Sequence, residues 1–245
     1  MEDVIVIKIG GIASQDLSES FIEQVKAWQT LGKKIVIVHG GGFAITKLMD
    51  EAKIPVEKVN GLRVTSQEAM KLVSYALFEI VGQSMTEKLL NAGLDSLQLR
   101  SHLPDILEAD FLDRSLYGYV GQIKQVHVAA LERLFQDNFI PIIASVGYTS
   151  DGQLLNVNAD YVATALAIAL GAEKLILMTD VKGVMENGEV IEQLLVSQVA
   201  DKIENQVITG GMIPKIKSAA ETVLAGVNQI LIGDNLLTGT VIGKG

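Results

Sequence analysis

The stretch Ile35-Val36-Ile37-Val38-His39-Gly40-Gly41-Gly42 decides the fold and contains the first candidate site. Four consecutive aliphatic residues, mostly β-branched, predict a short strand that is buried on both faces. The three glycines have no Cβ, so an anionic ligand can lie directly against their N–H groups. Apolar residues at helical spacing follow from Phe43 to Ala52. This order predicts an anion site, because the N–H groups at a helix start are unpaired and lie at the positive end of the helix dipole.

Composition limits the classes of protein to which the chain can belong. The 245 residues carry 29 acidic and 20 basic side chains, for a net charge of −9, which is not typical of a general nucleic-acid or membrane-surface binder. There is no cysteine, and the three histidines show no metal-ligand spacing. Strand-like sequence begins at Val4 and no apolar run reaches the length of a membrane span. We therefore expect a cytoplasmic enzyme.

A lysine interrupts the first predicted strand, which runs from Val4 to Ile9 and ends at Gly10-Gly11. Lys8 must either reach solvent or pair with an anion, because an unpaired buried ammonium is costly. An amphipathic helix from Leu17 to Leu31 connects this strand to the next as a right-handed βαβ unit. Both glycine loops then open at the carboxyl edge of the sheet, where ligands bind. We expect Lys8 to point toward that edge.

An arginine follows a turn signal at Asn60-Gly61, after a predicted edge strand from Val56 to Asn60. A guanidinium held on a turn near the sheet edge can bind a carboxylate through two parallel hydrogen bonds. Spacing alone supports a surface position for Arg63 equally well.

A long helix is predicted from Gln67 to Ala92, with Ser66 as its N-cap. Its Gly82 and Ser84 would let another helix approach closely, so this helix is the candidate dimer contact. The segment from Asp105 to Tyr119 is predicted to be polar and irregular. The other predicted elements are strands at 96–100, 140–145, 174–179, 227–233 and 239–242, hairpins at 119–127, 147–156 and 186–189, and helices at 128–137, 159–170, 194–205 and 216–225.

A second polar cluster, Asn156 to Asp160, leads into an almost wholly apolar helix. Asn158 is the expected N-cap, and Asp160 lies in the first helical turn, where the dipole favours a negative charge. Capping does not account for Asn156, and it leaves Asp160 available to organise lysines.

A third polar segment, Thr209 to Lys215, places Pro214 in the first turn of a helix. A lysine in that turn is disfavoured by the helix dipole by about 0.3–1 kcal/mol. Because Gly210 and Gly211 precede it, Lys215 indicates another anion contact; an exposed lysine is the alternative.

The alternation of strands and helices runs from end to end without a linker or repeat. It predicts an α/β fold, a three-layer αβα sandwich with a mainly parallel open central sheet. We expect one continuous domain with a soft break near Gly171, which divides it into an N-terminal lobe (residues 1–170) and a C-terminal lobe (171–245).

Six motifs, in this order, resemble the amino acid kinase family, and the resemblance spans nearly the whole chain. They are Lys8-Ile9-Gly10-Gly11, His39-Gly40-Gly41-Gly42, Asn60-Gly61-Leu62-Arg63-Val64-Thr65, Asn156 to Asp160, Asp180-Val181-Lys182-Gly183 and Gly210-Gly211-Met212-Ile213-Pro214-Lys215. Lys8, the glycine loop and Asp160 mark the wider family, whose fold is that of carbamate kinase. Arg63 and Asn156 resemble the branch that phosphorylates N-acetyl-L-glutamate in arginine biosynthesis.

The resemblance implies a role for each of these residues. Lys8 and Lys215 would neutralise the phosphoryl group in flight, and Asp160 would hold both lysines. Arg63 would bind the α-carboxylate of the substrate and Asn156 its acetamido group. The resemblance also implies substrate contacts at Gly41 and Gly42 and nucleotide contacts at Gly10, Gly11, Thr179, Asp180, Val181, Lys182, Gly183, Val184, Val207, Ile208 and Thr209. The first lobe would then hold the amino acid and the dimer contact, and the second lobe would hold ATP.

The chemistry of this reaction suits the residue types. The nucleophile is a side-chain carboxylate that is already ionised at neutral pH, so no general base is required. The reaction needs in-line placement and cancellation of anionic repulsion, which lysines, backbone N–H groups and Mg²⁺ on the nucleotide supply. We expect nucleotide phosphates and water to hold the Mg²⁺, and we assign it no protein ligand.

Arginine-inhibited members of the family carry an extra N-terminal helix that builds a hexamer, whereas here Val4 already starts the first strand. We therefore expect a homodimer without arginine feedback. Three other functions remain open: a sister kinase acting on an aminoadipate-type carrier-linked substrate, a non-catalytic sensor of the same fold, and a nucleotide-binding oxidoreductase. The last conflicts with the G-x-G-x-x-G fingerprint, because Ile45 stands where the third glycine is needed.

Overall fold

The computed structural model describes residues 3–10 and 16–244. The strands are β1 (Val4–Ile9), β2 (Lys34–His39), β3 (Lys58–Val59), β4 (Leu62–Arg63), β5 (Ser96–Leu99), β6 (Leu107–Phe111), β7 (Gly121–Val126), β8 (Ile140–Ala144), β9 (Val146–Tyr148), β10 (Leu154–Asn156), β11 (Lys174–Met178), β12 (Met185–Glu186), β13 (Glu189–Val190), β14 (Gln193–Leu195), β15 (Gln229–Gly233) and β16 (Thr240–Gly243). The α-helices are α1 (Glu19–Thr30), α2 (Gly42–Glu51), α3 (Gln67–Tyr75), α4 (Gln83–Asn91), α5 (Arg114–Tyr117), α6 (Ala129–Gln136), α7 (Ala159–Ala169), α8 (Val199–Glu204) and α9 (Met212–Leu224). Short 3₁₀ turns cover Leu103–Asp105 and Val196–Gln198.

The main sheet has eight strands in the order β14-β16-β15-β11-β1-β2-β8-β5. Its neighbours pair in parallel except β15 and β16, which are antiparallel. The predicted mainly parallel open sheet is therefore confirmed. β1 lies inside the sheet, between β2 and β11, so the loop that follows it opens between the loops of both neighbours.

Helices cover both faces of this sheet, as the uninterrupted apolar strands predict. Along β1, Val4 and Val6 pack into one buried cluster and Ile5 and Ile7 into the other. Helices α1 and α4 cover the face of Ile5 and Ile7, and α2, α3, α6, α7 and α9 cover the opposite face. In the described part of the chain, no helix is both long and apolar enough to cross a lipid bilayer.

A smaller sheet, in the order β10-β9-β6-β7, packs beside α7. Its β9–β10 hairpin turns at Asp151-Gly152, where Gly152 has a φ of 83°, as the sequence predicts. A separate hairpin joins β3 to β4 through Asn60 and Gly61, whose φ values are 51° and 81°. Two consecutive positive φ values are the signature of a type I′ turn, and this turn places Arg63 at the sheet edge.

One segment differs from its prediction. The stretch 105–119 is not irregular, because it contains β6 and α5. Leu107 and Ala109 face the core, but acidic residues alternate with them, and acidic residues are depleted in strands, which hid the pattern. The stretch 194–205 is mostly helical, as predicted, although its first two residues belong to β14 at the end of the main sheet.

The helix predicted at 67–92 contains one wide turn. A π-helical segment, Ala76–Gly82, joins α3 to α4. Gln98 of β5 donates a hydrogen bond to Phe78 O (2.9 Å), and its amide occupies the position that a Cβ on Gly82 would need. The small residue at Gly82 thus admits β5 of the same chain and not a second helix, whereas Ser84 is exposed. The dimer contact of this helix stays a prediction.

Candidate active site

Loops from several strands meet at the carboxyl edge of the main sheet and enclose a cavity of about 240 Å³. The ends of β1, β2 and β8 line it together, because the carboxyl ends of neighbouring parallel strands lie at the same edge of a sheet. The β4 hairpin and the start of α7 complete the lining. The lining residues are Lys8, Gly40, Gly41, Gly42, Ile45, Gly61, Leu62, Arg63, Val120, Ser145, Asn156, Val157, Asn158, Ala159 and Asp160. All four predicted substrate contacts lie in this cavity, which we call the amino-acid cavity.

A second cavity of about 440 Å³ adjoins the first and lies between the β3–β4 hairpin, α7 and the start of α9. Its lining residues are Asn60, Gly61, Leu62, Asn158, Asp160, Tyr161, Leu177, Gly210, Gly211, Pro214, Lys215 and Ser218. We call it the α9 cavity. Asp160 lines both cavities and therefore marks their junction.

Two lysines from distant parts of the chain meet at this junction. Lys8 Nζ lies 2.9 Å from Asp160 Oδ1, and Lys215 Nζ donates a hydrogen bond of 2.7 Å to Asp160 Oδ2. The three side chains are only 12%, 21% and 19% exposed for Lys8, Asp160 and Lys215. Both contacts are ion pairs, and the contact of Lys215 is also a hydrogen bond. Two ammonium groups and one carboxylate leave one net positive charge.

Asp160 stays ionised because of its two partners. Burial alone raises the pKa of this carboxyl, but the charges of Lys8 and Lys215 and their hydrogen bonds outweigh burial and hold the pKa below its ordinary value of 3.8. Asn158 caps α7 by accepting a hydrogen bond from Asp160 N (2.8 Å), as predicted. The cap fixes the backbone of Asp160, and the first helical turn aims its carboxylate at the lysines.

The glycine turn keeps backbone donors uncovered. Gly41 is the N-cap of α2, and among the described residues no side chain accepts a hydrogen bond from the first turn of that helix. A Cβ on Gly41 would meet Leu77 at 2.9 Å, and a Cβ on Gly10 would clash with the ammonium of Lys8. Helix α9 also begins at a glycine, Gly211, without a side-chain cap. Two uncapped helix starts thus line the two cavities, as an anion site requires.

His39 lies at the base of this turn and is fully buried. Burial lowers the pKa of its imidazole to about 4, although the nearby carbonyl of Gly40, 3.2 Å from Nδ1, acts in the other direction. The ring is therefore neutral at pH 7, and it donates from Nδ1 to the carbonyl.

Arg63 reaches from β4 to the first turns of α2 and contacts only neutral groups there. Its guanidinium donates to Thr46 Oγ1 (2.8 Å), Gly42 O (3.4 Å) and Met49 Sδ (3.4 Å). Burial lowers the pKa of Arg63, but a guanidinium remains charged at neutral pH. The charge of nearby Asp50 opposes the effect of burial on this pKa, but Arg63 forms no ion pair with a carboxylate of the described residues. A half-buried cation without an ion pair suits an anionic substrate group.

The predicted nucleotide residues are more dispersed. Gly10 lies against Lys8, whereas Gly11 is outside the described residues. The described lining of the two cavities does not include 179–184 or 207–209. Within those segments the side chains of Val184 and Ile208 pack in the core. The structure therefore brings together the predicted catalytic and substrate residues. Of the nucleotide segments, 179–184 follow β11, the neighbour of β1, and 207–209 shortly precede α9.

Comparison with known proteins identifies the family. A sequence model described as the amino acid kinase family matches residues 3–234. The chain belongs to the amino acid kinase family. Among curated members, an acetylglutamate kinase of Streptococcus mutans is 58% identical over 99% of both chains. An acetylglutamate kinase of Staphylococcus epidermidis is 44% identical over 99% of both chains.

Solved structures agree with the amino acid kinase fold. A crystal structure of a protein from Streptococcus mutans UA159 superposes with a TM-score of 0.93, at 58% identity and 99% coverage of both chains. A carbamate kinase of Giardia lamblia shares the fold alone, with a TM-score of 0.70 at 14% identity and 99% coverage of both chains. The predicted family and fold are confirmed.

Sequence reasoning missed three polar residues at this amino acid kinase site. Ser145 directly follows β8 and lines the amino-acid cavity, so the carboxyl-edge rule that selected Lys8 would also have selected it. Thr46 accepts from Arg63, and Thr65 contacts Asn156. These two threonines act through other side chains, and no spacing in the sequence indicates such contacts.

Proposed function

We propose that the protein transfers the γ-phosphoryl group of ATP to the side-chain carboxylate of N-acetyl-L-glutamate. The products are ADP and N-acetyl-L-glutamyl 5-phosphate, an intermediate of arginine biosynthesis. The observation that carries the proposal is the Lys8–Asp160–Lys215 cluster at the junction of two cavities. Relatives named acetylglutamate kinase, similar over 99% of their length, supply the substrate.

The amino-acid cavity has groups for both ends of this substrate. Arg63, which forms no ion pair with a carboxylate of the described residues, would bind the α-carboxylate, and Asn156 would bind the acetamido group. The side-chain carboxylate would then extend past Gly41 and Gly42 toward the junction. Placing the nucleophile there satisfies the main requirement of phosphoryl transfer, which is position.

At the junction, one oxygen of the substrate carboxylate attacks the γ-phosphorus. A carboxylate–phosphorus bond forms while the bond to the β–γ bridging oxygen breaks, and ADP leaves with the electron pair. Lys8 and Lys215 offset the negative charge on both sides of the moving group, and Asp160 keeps the two ammonium groups in place. No proton moves, so the neutral His39 is not needed as a base.

The α9 cavity is the proposed position of the ATP phosphates, next to Lys215 and the uncapped start of α9. Residues 171–245 would then form the ATP lobe and residues 1–170 the amino-acid lobe. The proposed nucleotide contacts are Gly10, Gly11, Thr179, Asp180, Val181, Lys182, Gly183, Val184, Val207, Ile208 and Thr209. Residues 179–184 and 207–209 are outside the described linings of the two cavities, so the base of the nucleotide would lie beyond the α9 cavity.

Magnesium fits this site as part of the nucleotide. The one carboxylate at the junction is already held by two lysines, a donor set that suits phosphate oxygens rather than a bare cation. The described residues contain no group of three or more His, Asp or Glu side chains that could hold a metal ion. Bound to the phosphates, Mg²⁺ would neutralise charge on the β- and γ-oxygens.

A coupled assay tests the proposed reaction. The purified protein is incubated with ATP, Mg²⁺ and one of four acceptors: N-acetyl-L-glutamate, L-glutamate, N-acetyl-L-aspartate or N-acetyl-L-aminoadipate. ADP release is measured, and hydroxylamine traps the acyl phosphate as a hydroxamate. We expect trapped product with N-acetyl-L-glutamate at a kcat/KM at least about tenfold above the other acceptors. ATP binding without any acyl phosphate would refute the proposal that the protein is a kinase. A preference for the aminoadipate compound would refute N-acetyl-L-glutamate as the substrate.

The proposal includes a homodimer in the cytoplasm, where ATP is the phosphoryl donor. An apolar groove between α2 and the wide helical turn is lined by Phe43 and Ile80, which are 62% and 39% exposed. At the end of the main sheet, β5 has no outer neighbour among the described strands and exposes Leu97. An open strand edge beside exposed apolar side chains is typical of an interface.

A further inference from the structure

A buried threonine lies behind the two proposed substrate ligands and links them. The side chain of Thr65 is fully buried and is not part of the cavity lining. Its hydroxyl donates to the backbone carbonyl of Arg63 (2.9 Å), and the amide of Asn156 donates to the hydroxyl (3.1 Å). One hydroxyl thus joins the β4 residue that would bind the α-carboxylate to the β10 residue that would bind the acetamido group.

The backbone of Thr65 is held firmly in this position. Its N–H donates to Tyr117 O (3.0 Å), and its carbonyl accepts from Tyr119 N (2.7 Å). Gly118, with a φ of 69°, passes so close to the carbonyl of Thr65 that a Cβ would clash with it. The hydroxyl therefore has a fixed direction from which to orient its partners.

Counting protons fixes the orientation of the Asn156 amide. A hydroxyl has one proton, and the carbonyl of Arg63 can only accept, so that proton is committed to Arg63. Toward Asn156 the hydroxyl can then only accept, and the NH₂ end of the amide must face it. The carbonyl end, Oδ1, is turned away from Thr65; it accepts no hydrogen bond from the described residues, while Asn156 lines the amino-acid cavity. One N–H of the Asn156 amide is thus committed to Thr65, and Oδ1 is left as an acceptor without a partner among the described residues.

We infer that Thr65 is a positioning residue that selects substrates with an N–H group on the α-carbon by holding Oδ1 of Asn156 toward the cavity. An α-acylamino acid donates its amide N–H to this oxygen. An ester at the same position has only lone pairs there, which repel Oδ1. The inference rests on the proposed function, because it concerns which substrates that same cavity accepts.

The test compares two substrates that differ only at this atom: N-acetyl-L-glutamate and L-2-acetoxyglutarate, in which an ester oxygen replaces N–H. The preference for the amide is measured as a ratio of kcat/KM values, and again as a ratio of Kd values by calorimetry. In the unaltered protein we expect a preference of about 10- to 100-fold. Thr65→Val keeps the shape and removes the hydroxyl, so the Asn156 amide can rotate. The preference should then fall to about threefold or less, through a higher KM for the amide, with the KM for ATP unchanged.

Two further variants make the test specific. Thr65→Ser retains the hydroxyl and should restore the preference. Thr222→Val removes another buried hydroxyl, bonded to Ser218 O within α9, and should keep the full preference. An unchanged preference in Thr65→Val, or an equal loss in Thr65→Ser, would overturn the role of Thr65. If the unaltered protein fails to phosphorylate N-acetyl-L-glutamate, the proposed function fails, whereas the Kd ratios still decide whether Thr65 orients Asn156.

Discussion

Two ammonium groups share one carboxylate at the junction of the cavities, and the first prediction concerns the charge that remains. Lys8 and Lys215 both contact Asp160, so one net positive charge is available to a phosphoryl group. We expect Lys8→Ala to lower kcat by about 10²- to 10³-fold, as when one preorganised donor is removed from other active sites. The Kd for ATP should change far less, because Lys215 remains. Steady-state kinetics and calorimetry measure the two quantities.

The matched control for this prediction is Lys26→Ala, which removes an exposed lysine from α1. It makes the same change to the net charge of −9 but leaves the junction intact. An unchanged kcat in Lys8→Ala would contradict the role of Lys8, and so would an equal loss in the control.

A buried neutral imidazole below the glycine turn makes the fold sensitive to acid. Burial lowers the pKa of His39 from 6.5 to about 4. Below pH 6.5 the unfolded chain therefore binds a proton that the folded chain does not, and the free energy of unfolding falls as the pH decreases toward 4. The loss from this group is about 2–3 kcal/mol by pH 4.5. We expect His39→Asn to lose correspondingly less stability between pH 6.5 and 4.5, measured by urea unfolding.

His39 and Asp160 affect the free energy of unfolding in different ranges of pH. Because the pKa of Asp160 is held below 3.8, its stabilising contribution is present above that value and is lost only at lower pH. His102→Asn, which removes an exposed imidazole, is the control for His39→Asn. Parallel stability curves for His39→Asn and the unaltered protein would show that burial of this ring does not cause the acid sensitivity.

At the scale of elements, helix propensity and packing predict opposite effects on stability for Gly82→Ala, in the wide turn between α3 and α4. Gly82 has helical dihedral angles, φ −65° and ψ −41°, so helix propensity alone would make Gly82→Ala stabilising by about 0.5–1 kcal/mol. The Cβ would instead displace the amide of Gln98 and meet Leu77 O at 2.9 Å. We expect a net destabilisation of about 1–3 kcal/mol, since overpacking and the lost hydrogen bond outweigh propensity. Urea unfolding midpoints measure it.

The control for this substitution is Gly243→Ala in β16, where an added Cβ meets nothing within 4 Å and φ is not positive. It should change the free energy of unfolding by less than about 0.5 kcal/mol. A stabilised Gly82→Ala variant would mean that Gln98 moves aside without cost.

Elements with strong periodicity or strong turn chemistry could be predicted from the sequence, and marginal ones could not. The buried strands β1 and β2, the caps at Ser66 and Asn158 and the Asp151-Gly152 hairpin all follow from local rules. β6 could not be predicted, because its acidic residues are typical of loop sequences and its pairing with β7 is a tertiary contact. The π-helical turn likewise depends on Gln98, a residue of another element.

The same limit applies to the site. Topology predicts that Lys8 and the glycine turn meet, since each lies near the carboxyl end of a parallel strand. Asp160 follows the antiparallel strand β10, and only the family resemblance implied its contact with the lysines. The contacts of Thr46 with Arg63 and of Thr65 with Asn156 join side chains that are 17 and 91 residues apart. No local pattern encodes a pair of this kind, so only the structure supplies it. The functional roles of all these residues stay predictions until they are measured.

At the scale of the whole molecule, β1 connects the two halves of the main sheet. It pairs with β2 from the proposed amino-acid lobe and with β11 from the proposed ATP lobe. Lys8 lies on this strand, in register with Val38 on one side and Leu177 on the other. A lysine on a shared central strand keeps its position relative to both lobes, which suits a group that contacts a phosphoryl group passing between them.

The last prediction concerns assembly at the exposed end of the sheet. If the groove of Phe43 and Ile80 and the open edge of β5 form the dimer contact, a charge there must be desolvated in the interface. We expect the unaltered protein to sediment at about twice its chain mass of 26.3 kDa, and Ile80→Glu to shift it toward the monomer. Leu237→Glu, at a side chain that is 65% exposed and lies away from this groove, should leave the mass unchanged. A monomeric unaltered protein would refute the homodimer, and a dimeric Ile80→Glu variant would place the contact on another face, because a buried unpaired carboxylate at this position is too costly to keep.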